Sequence, residues 1–148
     1  MHPVGELIPE DKPLTLSPRT SVLDACLAMR DARVGAVLVN EGDGPALGIF
    51  TERDLMTRVV AAGHDPAQVT LTEVMTRDLY FTQTDVPTSQ VRREMRRRHI
   101  RHAPVLDKDN NVVAMLSMRD LLQADLKDSK QEVEAITQYI QGGLDAAN

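Results

Sequence analysis

The chain has no tryptophan and only two tyrosines and two phenylalanines in 148 residues, so aromatics make up 3%. Its core must therefore be built from Leu, Val, Ile, Met and Ala, and a nucleic-acid surface of stacked rings is disfavoured. Cys26 is the single cysteine, which excludes an intrachain disulfide and a cysteine zinc cage. No apolar run approaches the roughly 20 residues of a membrane-spanning helix. The opening MHPVGELIPEDKP lacks a basic patch followed by an apolar stretch. No secretory signal is expected, and a reducing cytoplasm is the expected compartment. A formal net charge of −5 argues against a general polyanion binder. His64, His99 and His102 share no metal-ligand spacing with carboxylates, so no metal is expected. The chain shows no paired carboxylates, nucleophile elbow or Gly-rich phosphate loop, and no enzyme is expected.

What is present is ordinary in bulk and unusual in order. The hydrophobic fraction is 42% and the charged fraction 26%, enough for one compact domain or two fused half-domains. GIFTERDL at Gly48–Leu55 and AMLSMRDL at Ala114–Leu121 repeat one phrase at an offset of 66 residues (117 − 51). Thr51 falls on Ser117, Arg53 on Arg119, Asp54 on Asp120 and Leu55 on Leu121. The same shift, without a gap, places Met29 on Met95, Arg30 on Arg96 and Val39 on Val105.

Each copy reads as strand, helix, strand, strand, helix. Leu14–Leu16 and Leu79–Thr82 are short extended segments. Thr20 and Ser21 ahead of Asp24 offer N-cap chemistry for a helix over Val22–Ala32, and Pro87 opens one that runs to Arg98. Val22, Cys26 and Met29, then Val91 and Met95, fall at the three-to-four spacing of a buried stripe. Ala36–Val39 and Ala103–Leu106 are β-rich. Turns at Asn40–Pro45 and Asp107–Asn111 lead to Ala46–Phe50 and Val112–Leu116. LTEVMT before the second copy resembles VGELIP at the start, so the repeat begins ahead of Leu14. The expected fold is α/β (α+β): two pseudo-symmetric repeats, each a three-stranded sheet with two helices, plus a C-terminal helix. Residues 4–60 form repeat 1, 61–75 a connector with a short helix, 76–123 repeat 2 and 124–148 a helical tail. Gly142 and Gly143 are expected to stop that helix.

The repeated phrase ends in Thr/Ser-x-Arg-Asp at a strand-to-helix junction. A helix N-terminus suits phosphate oxygens, a hydroxyl there meets phosphate or ribose, and an Asp one turn on accepts from a ribose diol. The simpler reading is that Thr51 and Ser117 cap helices while Asp54 and Asp120 complement the helix dipole, and from spacing alone it is the better one.

These phrases, with IRHAPVLD at Ile100–Asp107, resemble the two halves of a tandem cystathionine-β-synthase (CBS) domain pair, a Bateman module. The resemblance runs from about Val4 to Leu122. It rests most on Arg101, His102, Pro104 and Val105, which match the family's Arg-His-x-Pro-Val run. The first copy has Gly35, Ala36, Val37 and Leu38 where the second has Arg101, His102, Ala103 and Pro104. The resemblance implies two clefts for adenosyl ligands: AMP, ADP, ATP or S-adenosylmethionine. Asp54 and Asp120 would hold ribose, Thr51 and Ser117 phosphate or ribose, backbone at Val37 and Ala103 the adenine edge, and Arg101 and His102 phosphates. On this reading the second copy carries a complete set with Ser117 and Asp120, and the first, lacking a cation at Gly35, the weaker site. The implied function is a non-catalytic sensor that signals to an unknown regulated protein on another chain. A homodimer is expected, through Val22, Cys26 and Met29 or through Leu126, Val133, Ile136 and Ile140.

Two other readings compete. A structural dimerisation module would leave the clefts empty. A nucleic-acid accessory protein would use the six arginines between Arg92 and Arg101. Without interleaved aromatics, that run reads better as a solvated helix face.

Overall fold

The computed structural model describes residues 2–146. Strand β1 (Thr15–Leu16) leads into helix α1 (Val22–Ala32), strand β2 (Ala36–Asn40) and strand β3 (Ala46–Thr51). Helix α2 (Glu52–Asp54) then widens into π-helical turns over Leu55–Val60, and the short helix α3 (Leu71–Val74) closes the first half. Strand β4 (Thr82–Gln83), helix α4 (Thr88–Arg97), strands β5 (His102–Leu106) and β6 (Val112–Ser117) and helix α5 (Met118–Ala146) repeat the plan. The strand orders are β1-β2-β3 and β4-β5-β6.

Local chemistry explains the elements. Ser21 caps α1 by accepting from the Asp24 N–H at 3.1 Å. Val22, Ala25 and Met29 of α1, and Thr88, Val91 and Met95 of α4, are buried at helical spacing. Cys26 lies beside that stripe, half-buried, and burial pushes its thiol pKa up. Ala36–Val39 are all buried because β2 is the central strand of its sheet. The outer pairings are parallel between β1 and β2 and antiparallel between β2 and β3, with a register shift at Val39/Asn40.

The offset of 66 extends to fine detail. The second sheet shifts register at Val105/Leu106, and Arg33 and His99 both take left-handed φ, 56° and 55°, where α1 and α4 end. The two halves also exchange their leading segments. Val4 N–H bonds the Val86 carbonyl, and Val4 belongs to the core of the second repeat. Val22 N–H bonds the Val69 carbonyl, and Val69, Leu71 and Val74 complete the core of the first. Each segment leading into a repeat is thus built into the other. Gly48 permits one such approach: a Cβ there would stand 2.8 Å from the Thr76 carbonyl oxygen, where β3 bridges the connector through Ile49 and Thr76.

The C-terminal helix departs from expectation. α5 starts at Met118 and runs unbroken through Gly142 and Gly143 to Ala146. A glycine inside a helix costs about 1 kcal/mol relative to alanine, which weakens the last turns without ending them; a stop requires a left-handed residue, and neither glycine has positive φ.

Candidate functional site

At both strand-to-helix junctions the repeated motif forms a reciprocal capping box. Asp54 Oδ2 accepts from the Thr51 N–H at 3.0 Å, while Thr51 Oγ1 accepts from the Asp54 N–H at 3.3 Å. Asp120 Oδ2 accepts from the Ser117 N–H at 2.9 Å, and Ser117 Oγ from the Asp120 N–H at 3.1 Å. The carboxylates then diverge. Asp54 is 5% exposed, accepts from the Thr76 hydroxyl at 3.0 Å and lies 3.6 Å from the Arg58 guanidinium. Asp120 is exposed, with only its cap partner bonded.

A cleft of about 400 Å³ opens between the repeats. One wall is the β3–α2 junction: Ile49, Thr51, Glu52, Arg53, Asp54 and Met56. Thr76 and Asp78–Tyr80, at the start of the second repeat, line it too, and the far wall is Ile100, Arg101, His102 and Pro104. His102 and Ser117 are cross-strand partners on β5 and β6. Arg101 and His102 line this cleft with Thr51 and Asp54, not with Ser117 and Asp120, which lie outside its lining. β2 and β6 pack across the two sheets, and the cleft lies where the end of β3 faces the start of β5. Val37 and Ala103 are fully buried in the two cores and present no side chain to a ligand.

Pro104 alters the backbone of this cleft. In the first repeat the Leu38 N–H donates to the Leu14 carbonyl at 2.9 Å, joining β2 to β1. Pro104 stands at the equivalent position and has no N–H, so the carbonyl of Tyr80, equivalent to Leu14, receives no such bond. Tyr80 and Pro104 both line the cleft.

The electrostatics are mixed. Burial holds the His102 pKa below its ordinary value, with Glu52 and Asp120 pulling the other way and Arg101 adding to the depression. Arg53 is engaged, donating to the His99 carbonyl of the second repeat. His102 and Arg101 share the cleft lining with the acids Glu52 and Asp78. The Arg98 guanidinium lies 4.9 Å from the centre of the Tyr80 ring.

Sequence reasoning missed Tyr80, Glu52, Asp78 and Ile100. Tyr80 carried the one available signal, a ring just ahead of β4 in a chain nearly without rings. Half of the arginine run is paired with acids of the same chain. Arg92 bridges to Asp125, and Arg97 and Arg98 bond Glu94. Those bonds, Arg97 first, pull the Glu94 pKa down to about 2. Among the described residues, no group of His, Cys, Asp or Glu is placed to hold a metal ion, and no helix is long and apolar enough to cross a membrane.

Two interleaved repeats, matched in strand register and in the left-handed residues that end α1 and α4, flank a cleft between them. The CBS domain profile matches residues 4–61 and 71–127. The chain belongs to the CBS-domain family. It is 32% identical over 123 residues to the uncharacterized protein MK0525 of Methanopyrus kandleri, covering 82% of this chain and 62% of that one. The chain thus spans under two thirds of that relative's length. The crystal structure of the CBS-domain protein ATU1752 from Agrobacterium tumefaciens superposes with a TM-score of 0.77 at 30% identity, covering 83% of this chain and 98% of that one. The CBS domain pair of protein MJ0100, in complex with 5′-methylthioadenosine and S-adenosyl-L-methionine, shares the fold with a TM-score of 0.76 at 20% identity, over 86% and 98% of the two chains.

Proposed function

We propose that this CBS pair is a non-catalytic regulatory module that binds one adenosyl ligand in the cleft between its repeats. AMP, ADP, ATP and S-adenosylmethionine are the ligands to test. The observation that carries the reading is the convergence, in one cleft, of Thr51, Arg101 and Tyr80, whose carbonyl receives no bond from Pro104. The 6-amino group of adenine donates to the Tyr80 carbonyl, with Ile100 and Pro104 against the ring. Thr51 meets ribose or phosphate, and Arg101 and His102 meet phosphate. Asp54, already holding Thr51 and Thr76, sets the Thr51 hydroxyl and accepts from ribose only as a secondary role. The ligated MJ0100 pair supports the ligand class by its shared fold.

The second motif, Ser117 and Asp120, has Gly35 where a cation would complete it, and Glu52 occupies that space: a Cβ on Gly35 would stand 3.2 Å from the Glu52 carboxyl carbon. With no cation there, that side stays empty or takes a nucleoside without phosphate. Ligand in the occupied cleft favours one relative setting of the repeats, and a partner protein reads that setting. The chain works as a homodimer in the cytoplasm.

A thermal-shift screen of the full chain against the four ligands tests the reading. Ligand at a hundredfold its dissociation constant stabilises by about 2.7 kcal/mol, whereas a purely structural module shifts with none of them. Light scattering tests the dimer, and a mass of one chain at every concentration removes it.

A further inference from the structure

Residues 129–146 of α5 are exposed along their whole length, so the chain's own core covers none of their apolar side chains. A helical extension of this length without tertiary cover is marginal in water. Its apolar residues nevertheless form a line. Leu122, Leu126, Val133, Ile136 and Ile140 are each between 54% and 62% exposed. With Ser129 they step along α5 by four and three residues in alternation. That is a period of 3.5, the repeat of a helix seated on another helix, rather than the broader stripe of one lying on its own core.

We propose that α5, from Leu122 to Leu144, pairs in parallel and in register with the same segment of a second copy of this chain as a two-stranded coiled coil. This deepens the homodimer reading and is independent of the ligand in the cleft. With Leu126, Val133 and Ile140 at a and Leu122, Ser129 and Ile136 at d, the flanks fall into place. Asp125, Glu132 and Tyr139 occupy g, while Lys130, Thr137 and Leu144 occupy e. In a parallel pair each g residue meets the e residue five further along the other helix. Asp125, which also bridges to Arg92 of its own chain, then meets Lys130 of the second copy, opposite charges. Tyr139 meets Leu144, which accounts for two large apolar side chains off the seam that are 84% and 64% exposed. An antiparallel pair centred on the same seam sets Lys130 against Lys130 and Glu132 against Glu132, and leaves Tyr139 beside Asp125. Charge and apolar flanks both select the parallel arrangement.

The test uses the full chain. An Ile136→Cys variant oxidised under mild conditions is expected to form a disulfide with itself, identified by peptide mapping, because a d position faces its own copy in a parallel pair. A mixture of Leu126→Cys and Ile136→Cys chains is expected to give few hybrid cross-links. Sedimentation equilibrium should give twice the chain mass for wild type and the chain mass for Val133→Asp/Ile136→Asp; both positions are solvent-facing in the single chain, so its fold does not depend on them. Hybrid cross-links in excess overturn the parallel pairing. A dimer that survives the double substitution overturns the seam while leaving the homodimer reading intact. A wild-type mass of one chain overturns both, and a mass of three chains overturns the two-stranded form.

Discussion

Asp54 and Asp120 are the same letter in the same motif, and burial makes them different residues. Asp54 is closed in by Thr51, Thr76 and Arg58, so Asp54→Ala leaves a backbone N–H and the Thr76 hydroxyl short of an acceptor. A loss of about 1–3 kcal/mol is expected, seen as a lower urea midpoint. Asp120→Ala removes one exposed cap bond and should lose about 1 kcal/mol or less. Equal losses would show that the burial difference is immaterial. Arg101→Ala is expected to weaken AMP and ATP roughly tenfold to hundredfold and adenosine little, measured by calorimetry, because a charged hydrogen bond contributes about 1.5–3 kcal/mol. His102 adds a pH dependence. Its depressed pKa means that the folded chain holds the proton more weakly than the unfolded chain does. Its contribution is therefore fully present above the ordinary value of 6.5 and is lost as pH falls below it toward the folded pKa. The midpoint of thermal unfolding should drop over that range, less so in His102→Gln. A phosphate beside His102 favours the charged ring, so AMP should bind more tightly as pH falls from 7.5 to 6 while adenosine should not. An identical pH profile for the two ligands would remove His102 from the site.

At the scale of elements, β5 shows how one proline links fold to recognition. Pro104→Leu restores the residue found at the equivalent position of β2 and supplies an N–H for the Tyr80 carbonyl. The variant should be at least as stable as wild type and bind adenine nucleotides about tenfold more weakly, the scale of one lost hydrogen bond of about 1.4 kcal/mol. Undiminished binding would exclude the Tyr80 carbonyl as the adenine acceptor. The helices and strands themselves were legible in the sequence, because caps at Ser21 and Thr51 and the alternation of apolar and turn residues are local signals. The 66-residue offset was legible too, and with it the pairing of β2 with β3 and of β5 with β6. The end of α5 was not, since Gly142 and Gly143 mark a stop only where the chain turns left-handed. Truncation after Asp128 should leave ligand binding unchanged, because the helix beyond that point touches no core, while removing the part of the thermal stability that rises with chain concentration through pairing of α5. Loss of binding on truncation would tie the tail to the cleft.

At the scale of the whole molecule, function follows from how two equivalent halves cease to be equivalent. The repeats exchange their leading segments and pack β2 of one against β6 of the other, leaving the cleft between the end of β3 and the start of β5. Which motif meets which cation is therefore decided by packing between sheets, over distances along the chain that no local pattern records. That is why Thr51, Asp54, Arg101 and His102 could each be picked out in the sequence, while their common place in one cleft depends on how the two repeats pack. It is also why Tyr80 and Glu52, ordinary residues locally, became cleft walls. The most direct test of this account is a crystal structure of the chain saturated with whichever of AMP, ADP, ATP or S-adenosylmethionine gives the largest thermal shift. The account predicts the adenine amino group at the Tyr80 carbonyl, with ribose at Thr51 and any phosphate at Arg101. Ligand held by Ser117 and Asp120, with the cleft at Arg101 empty, would contradict it.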